Sequence, residues 1–255
     1  MALFSDGPLS TIDELVQHDS FLLAVASTEG IDVTAKLSLA HDEVETELSA
    51  LFARASSNYG PVLGQTPLDT AHLAVTPALK LWYTFRTLEL VYRDAYYNQL
   101  NDRYKGKWTE YQNLGRWATG KFLETGAGLV ADPISIPVPL LTQFNPASQA
   151  GGTVYATITL LNSAGEESSP AILSEVTVPD AAVMVASISS HASNAKTWNL
   201  YTGSAPGVTT LQNSTPLALA DTWEVVFPMS ALGRLPGSGQ APNEIRDLPR
   251  RIMRG

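Results

Sequence analysis

Residues Thr76–Gly126 read TPALKLWYTFRTLELVYRDAYYNQLNDRYKGKWTEYQNLGRWATGKFLETG, and this stretch decides how the first half of the chain folds. Thr76-Pro77 has the form of a helix start: threonine at the cap, then proline at the first helical position, where its missing N–H costs nothing. Ala78, Leu81, Trp82, Phe85, Leu88, Tyr92, Ala95 and Tyr96 then recur at steps of three and four, which predicts a helix with one broad buried face. Arg86, Glu89, Arg93 and Asp94 fall largely on the other side. Lys105-Gly106-Lys107 marks an irregularity or turn. A second helical pattern carries Tyr104, Trp108, Tyr111, Ala118 and Phe122, with Leu114 and Trp117 beside them. Gly115 sits inside that stripe and predicts a close backbone approach. The expectation is a long helical hairpin or one kinked helix around an aromatic core. Some of its tyrosines could face a neighbouring subunit, since amphipathic rings favour interfaces.

Upstream, Thr11-Ile-Asp-Glu14 fits a capping box, worth about 1 kcal/mol. Asp19 caps a short apolar run, Phe21 to Val25, that closes at Gly30. Asp32 starts a longer helix with Val33, Leu37, Ala40, Val44, Leu48, Leu51 and Phe52 on one face. Gly60-Pro61 and Gly64 punctuate a loop, and Leu68–Val75 reads as a short helical piece. Four or five helices with short links make an all-α unit over residues 1–131.

The pattern changes at Asp132-Pro133. Pro133, Pro137 and Pro139 alternate with Ile134, Ile136 and Val138, an extended segment that reads as an edge strand or linker. Val154, Ala156, Ile158 and Leu160 then alternate with Tyr155, Thr157 and Thr159, the period of two expected of a strand. Further strands follow at Ile172–Val178, Val183–Ile188, Thr197–Tyr201, Thr209–Gln212 and Thr222–Phe227. Short strands at this spacing, separated by Gly, Pro, Asn and Ser, predict an antiparallel β-sandwich over residues 132–230, with Trp198 and Trp223 as core anchors. Residues 231–255 read as an extended C-terminal tail. Pro236–Pro242 is a flexible spacer, and the basic end beyond it places Ile245, Leu248, Ile252 and Met253 among arginines. Such a segment is too short to fold alone and has the form of a peptide that orders on contact with a partner.

Composition narrows the function. The chain has 255 residues, no cysteine and a formal net charge of −9, so disulfides, thiolate catalysis and Cys-ligated zinc are excluded. No apolar run approaches the roughly 20 residues that span a bilayer, and residues 1–10 lack the basic start and apolar core of a signal peptide. The expectation is a soluble protein of a reducing compartment, without a membrane. Residues 1–131 hold 16 acids against 10 bases, residues 132–230 hold 7 acids against Lys196 alone, and residues 231–255 hold five arginines against Glu244 and Asp247. An acidic body does not grip DNA through counterion release, although an acidic wall lets DNA slide past. The basic tail asks for an anionic partner.

No P-loop, dinucleotide fingerprint, nucleophile elbow or H-E-x-x-H motif is present. His41-Asp42-Glu43 holds ligand-type side chains, but neighbours on a helix point in different directions, so no metal site is expected there. Asp42, Glu43, Glu45 and Glu47 form a solvated helix face or an acidic channel lining. Neither an enzymatic activity nor a cofactor is expected.

Two resemblances converge. Leu79-Lys-Leu-Trp-Tyr-Thr-Phe-Arg-Thr-Leu-Glu-Leu-Val-Tyr-Arg-Asp94, followed by Asn101-Asp-Arg-Tyr-Lys-Gly-Lys-Trp-Thr-Glu-Tyr111, resembles the long helix, break and second helix of the phage head–tail connector (adaptor, or neck) family, over about residues 8–128. Tyr155-Ala-Thr-Ile-Thr-Leu-Leu-Asn-Ser-Ala-Gly-Glu-Glu-Ser-Ser-Pro170 and Trp198-Asn-Leu-Tyr-Thr-Gly203 are similar to segments of immunoglobulin-like and fibronectin type III domains. The connector resemblance implies a structural virion protein, made in the host cytoplasm, that forms a homo-oligomeric ring of twelve copies under the portal protein. Such a ring joins capsid to a tail or nozzle protein and encloses a channel for genomic DNA without reading its sequence. It also implies portal docking through the C-terminal segment, here Ile245, Arg246, Leu248, Arg250, Arg251, Ile252 and Met253. The other reading is a glycan- or surface-binding virion module, which exposed aromatics at Trp198 and Tyr201 would favour.

Overall fold

Thr11 and Glu14 form the expected capping box: the Thr11 hydroxyl accepts from the Glu14 amide and the Glu14 carboxylate from the Thr11 amide. It opens α1 (Ile12–His18), which is followed by α2 (Leu22–Glu29), α3 (Val33–Tyr59), α4 (Pro77–Gln99) and α5 (Lys105–Thr125). These belong to a computed structural model, in which residues 2–59, 65–99 and 102–248 are described. Asp32 caps α3 by accepting from the Thr34 and Ala35 amides, and Thr76 begins the turn into α4 by accepting from the Leu79 amide. The expected long hairpin is therefore two helices, broken between Gln99 and Lys105.

Central to this unit is α4, buried on more than one side: Leu79, Trp82, Tyr83, Leu88, Val91 and Tyr92 are all inside. Towards α5 it presents an aromatic seam, with Trp82 on Phe122 (centroids 5.7 Å), Tyr92 on Tyr111 (5.4 Å) and Tyr96 on Trp108 (5.6 Å). Residue numbers rise on α4 as they fall on α5, so the pair is antiparallel. About a third of a turn away, α4 meets α3. There the Tyr83 hydroxyl donates to the Leu37 carbonyl at 2.8 Å, Arg86 bridges Glu43 and Glu89, and Lys36 pairs with Asp94. The charged side of α4, which the periodicity sets off the buried stripe, is partly covered by α3, and Glu89, only 6% exposed, pairs with Arg86 at 2.8 Å. The remaining correction in the helices concerns Gly115. It is buried, yet a Cβ there would meet nothing within 4 Å, so no neighbouring backbone requires it.

Residues 68–75 differ from the expected helical piece. The Asp69 carboxylate accepts from the His72 amide, turning the chain, and the strand-like segment that follows pairs on both sides. Its Leu73 carbonyl accepts from Phe4, its Ala74 amide donates to Gly128, and its His72 carbonyl accepts from Val130. Backbone groups committed to a ladder cannot also close helical turns.

Beside this ribbon lies β1 (Ala127–Leu129). The chain then forms β2 (Leu141–Pro146), β3 (Gly152–Leu161), β4 (Ser174–Val178), β5 (Ala182–Ser187), β6 (Thr197–Gly203), β7 (Thr210–Leu211), β8 (Leu217–Ala218) and β9 (Trp223–Val225). It ends its described course at β10 (Glu244–Arg246). Strands β4-β3-β6-β7 make one antiparallel sheet, with β8 also on β6, and β2-β5-β9 make the other. Inward-facing Ile158, Leu160, Trp198 and Leu200 from the first share one core with Met184, Ala186 and Val225 from the second, which is a β-sandwich. Trp198 is fully buried as expected, while Trp223 packs at the margin of the core. The proline-rich segment 133–139 forms neither strand nor helix.

By its contacts the chain divides into two units, and the second is an insertion in the first. One comprises Phe4–Ala131 together with the chain from Pro242, and the other comprises Asp132–Ala241 with Met1–Leu3. The flexible spacer expected before Pro242 is, up to Ala241, part of the β unit. Leu211 donates to the Arg234 carbonyl, and Gln240, only 2% exposed, accepts from the Ile134 amide and donates to the Asp132 carbonyl. Asn162 and Asn194 also donate to Asp132, so the first and last residues of the insertion are tied together.

Candidate interaction site

The C-terminal strand β10 pairs antiparallel with β1, matching Ala127 to Arg246, Gly128 to Ile245 and Leu129 to Glu244. Asn243 closes the pair: its amide donates to the Leu129 carbonyl at 2.8 Å and its side-chain oxygen accepts from the Ala131 amide at 2.8 Å. Two glycines of the β1 segment make room. Gly126 has φ +80°, and a Cβ there would lie 2.7 Å from the Arg246 carbonyl oxygen. A Cβ at Gly128 would lie 3.1 Å from Pro242 and 3.2 Å from Thr76.

Of the seven residues expected to dock the tail, three are described, and they have three different fates. Ile245 is 67% exposed and available. Arg246 already holds a carboxylate of its own chain, Glu244, through two guanidinium nitrogens at 3.1 and 2.7 Å. Leu248 is 5% exposed, so its apolar surface is already covered. Arg250, Arg251, Ile252 and Met253 lie outside the described residues. The expectation of a loose peptide from residue 243 is thereby corrected for residues 243–248, where strand pairing and burial hold the chain.

A second constellation centres on Asp19, which the sequence marks as a helix cap. Asp19 does accept from the Phe21 amide, at 3.0 Å. Its other oxygen, buried, accepts from the hydroxyls of Tyr92 at 2.8 Å and Tyr111 at 2.7 Å, and Lys107 lies 3.5 Å away. Burial acts to raise the pKa of Asp19, but the two hydroxyls, the Phe21 amide and Lys107 together outweigh it and hold the carboxyl below its ordinary value. Burial first, and then the bonds donated to Asp19, push both phenols up. The cluster joins the α1–α2 corner to α4 and α5. Its carboxylate is engaged by these donors, and the cluster ties the helices together.

The β unit has a counterpart in Glu167. Burial acts to raise its pKa, while bonds from Thr159, Tyr201 (2.6 Å), Asn199 (3.0 Å) and Arg234 (2.7 Å) lower it. Tyr201 and Trp198 are both fully buried, so neither is the surface aromatic that the glycan-binding reading looks for. A cavity of about 280 Å³ at one end of the sandwich is lined by Phe227, Met229, Val208, Thr210 and Thr202, with no charged side chain.

The ligand-type residues of α3 separate. His41 stacks on Phe4 (4.4 Å) and sits 3.1 Å from the Phe4 carbonyl oxygen, Asp42 faces solvent, and Glu43 pairs with Arg86. Among the described residues no group of three His, Asp or Glu side chains could hold a metal ion, and no helix is long and apolar enough to cross a membrane. No family model matches the chain, and no curated protein matches it.

Proposed function

We propose that this chain is a structural virion protein, the head-to-tail connector of a phage: copies form a ring beneath the portal protein, join capsid to a tail or nozzle protein, and line part of the channel through which genomic DNA passes. One observation carries the reading. The first stretch that resembles the connector family falls on α4, and the second runs into α5, so the resemblance lies along the aromatic hairpin on which the helical unit is built. The acidic balance of residues 1–131 suits a wall that DNA slides past. After β10 the sequence continues with Arg250, Arg251, Ile252 and Met253, a basic and apolar peptide suited to acidic grooves between portal subunits. Each such contact is weak, and a ring multiplies it.

Pull-down with purified portal tests this reading. Deleting residues 249–255 removes the basic peptide and spares β10 and Leu248. That variant keeps the melting curve of the full chain and loses portal binding. Retention at full strength by the truncated chain overturns the docking role. The longer deletion from residue 243 is uninformative, because it also strips a strand and a buried leucine from the helical unit.

A further inference from the structure

The two helices that flank α4 leave outward faces of opposite charge. On α3 the buried stripe is Val33, Leu37, Ala40, Val44, Leu48 and Leu51. Its opposite side shows Leu39, Asp42, Glu45, Thr46, Ser49 and Ala53, all exposed. The Asp42 carboxylate has no cationic partner among the described residues, and Glu45 accepts only from the Thr70 hydroxyl, at 3.4 Å. On α5 the buried stripe is Tyr111, Gly115, Ala118 and Phe122. Lys105, Thr109, Asn113, Arg116 and Trp117 point away from it, and Trp117 is 50% exposed. Both acids of this helix are already matched, Glu110 by Lys107 and Glu124 by Lys121. Lys105 and Arg116 pair with no acid among the described residues.

Because α3 and α5 contact α4 about a third of a turn apart, these faces look in different directions from the helical unit. We infer that they are the two halves of a contact between copies of this chain: the α5 face of one copy seats on the α3 face of the next. Charge complementarity selects this occupant, with Lys105 and Arg116 opposite Asp42 and Glu45. Thr46, Ser49 and Ala53 are short enough for a helix to approach closely, and Trp117 is the side chain to anchor the centre, beside Leu39. Two different faces meeting head to tail make a heterologous interface, which repeats around a ring. The inference deepens the connector reading, since each ring member must hold two neighbours.

The test is the mass of the full chain in solution at about 50 µM, well above the dissociation constants of specific protein interfaces. Wild-type protein forms a multiple of 27.4 kDa. Reversing one face, with Lys105→Glu and Arg116→Glu or with Asp42→Lys and Glu45→Lys, weakens assembly by about ten-fold or more. Combining all four reversals in one chain restores assembly. A wild-type monomer at that concentration overturns the inference, as does a single-face reversal that assembles normally or a four-fold reversal that stays monomeric. Melting curves of each variant show that it folds, since all four positions are exposed. The connector reading fails on a different result: a chain that forms rings but does not bind portal. A chain that binds portal as a monomer sinks the interface alone.

Discussion

At the scale of single residues, the buried carboxylate of Asp19 is the most consequential side chain in the helical unit. It accepts hydrogen bonds from tyrosine hydroxyls on two helices and from the Phe21 amide at the start of a third, at 2.7 to 3.0 Å. Asp19→Asn replaces a charged acceptor by a neutral amide whose NH₂ faces a tyrosine hydroxyl. The expected loss is about 2 kcal/mol, the cost of weakening buried charge-assisted bonds, read as a lower urea midpoint at pH 7. The native carboxyl titrates below its unfolded value, so its stabilisation is fully present above the unfolded pKa and fades as pH falls through the folded one. Urea midpoints of wild type and Asp19→Asn should therefore converge on acidification from pH 5 towards the folded pKa. Parallel curves would remove Asp19 from the account. Gly115 gives the opposite sign. With room for a Cβ, Gly115→Ala should raise stability by about 0.5–1 kcal/mol, the helix-propensity difference between the two residues, measured in the same titrations.

At the scale of elements, periodicity reached what repeats and missed what pairs at a distance. The stripes at steps of three and four located α3, α4 and α5, and the alternation at Val154–Leu160 located β3. Strand β10 has only three residues, and its pairing joins positions 127 and 246, so no local pattern marks it. The same holds for Asp19, whose tyrosine partners lie 73 and 92 residues along the chain, and for Gln240, 106 residues from the amide it accepts. Gly126, which ends α5 with φ +80°, lies against the Arg246 carbonyl, a constraint that no local pattern marks either. Gly126→Val tests that constraint. A valine both strains the φ of +80° and drives a side chain into the Arg246 carbonyl, so β10 must leave β1. Faster hydrogen exchange at Asn243 and across Glu244–Arg246, with the exchange of α4 unchanged, is the expected result. Unaltered protection of β10 would show that the strand tolerates the displacement.

At the scale of the whole molecule, the arrangement is an inserted unit rather than two units in a row. The chain leaves the helical unit after Ala131 and returns at Pro242, and the bonds between Leu129, Ala131 and Asn243 hold those two points side by side. An insertion whose ends meet in an antiparallel strand pair can be replaced by a hairpin turn without moving either strand. Excising residues 132–241 and joining Ala131 to Pro242 through Asn-Gly should thus leave a helical unit with one cooperative thermal transition. The excised segment should fold alone, because its core draws on both of its own sheets and its ends are tied by Asp132, Asn162 and Gln240. Circular dichroism melts of the two pieces decide this. Two sharp transitions that together match those of the intact chain are the expected outcome, and a helical piece without a cooperative transition would mean that the two units stabilise each other. If the pieces do fold apart, portal pull-down with the helical piece alone becomes the sharper test of function, because that piece keeps β10, the basic end and both outward helix faces while lacking residues 132–241.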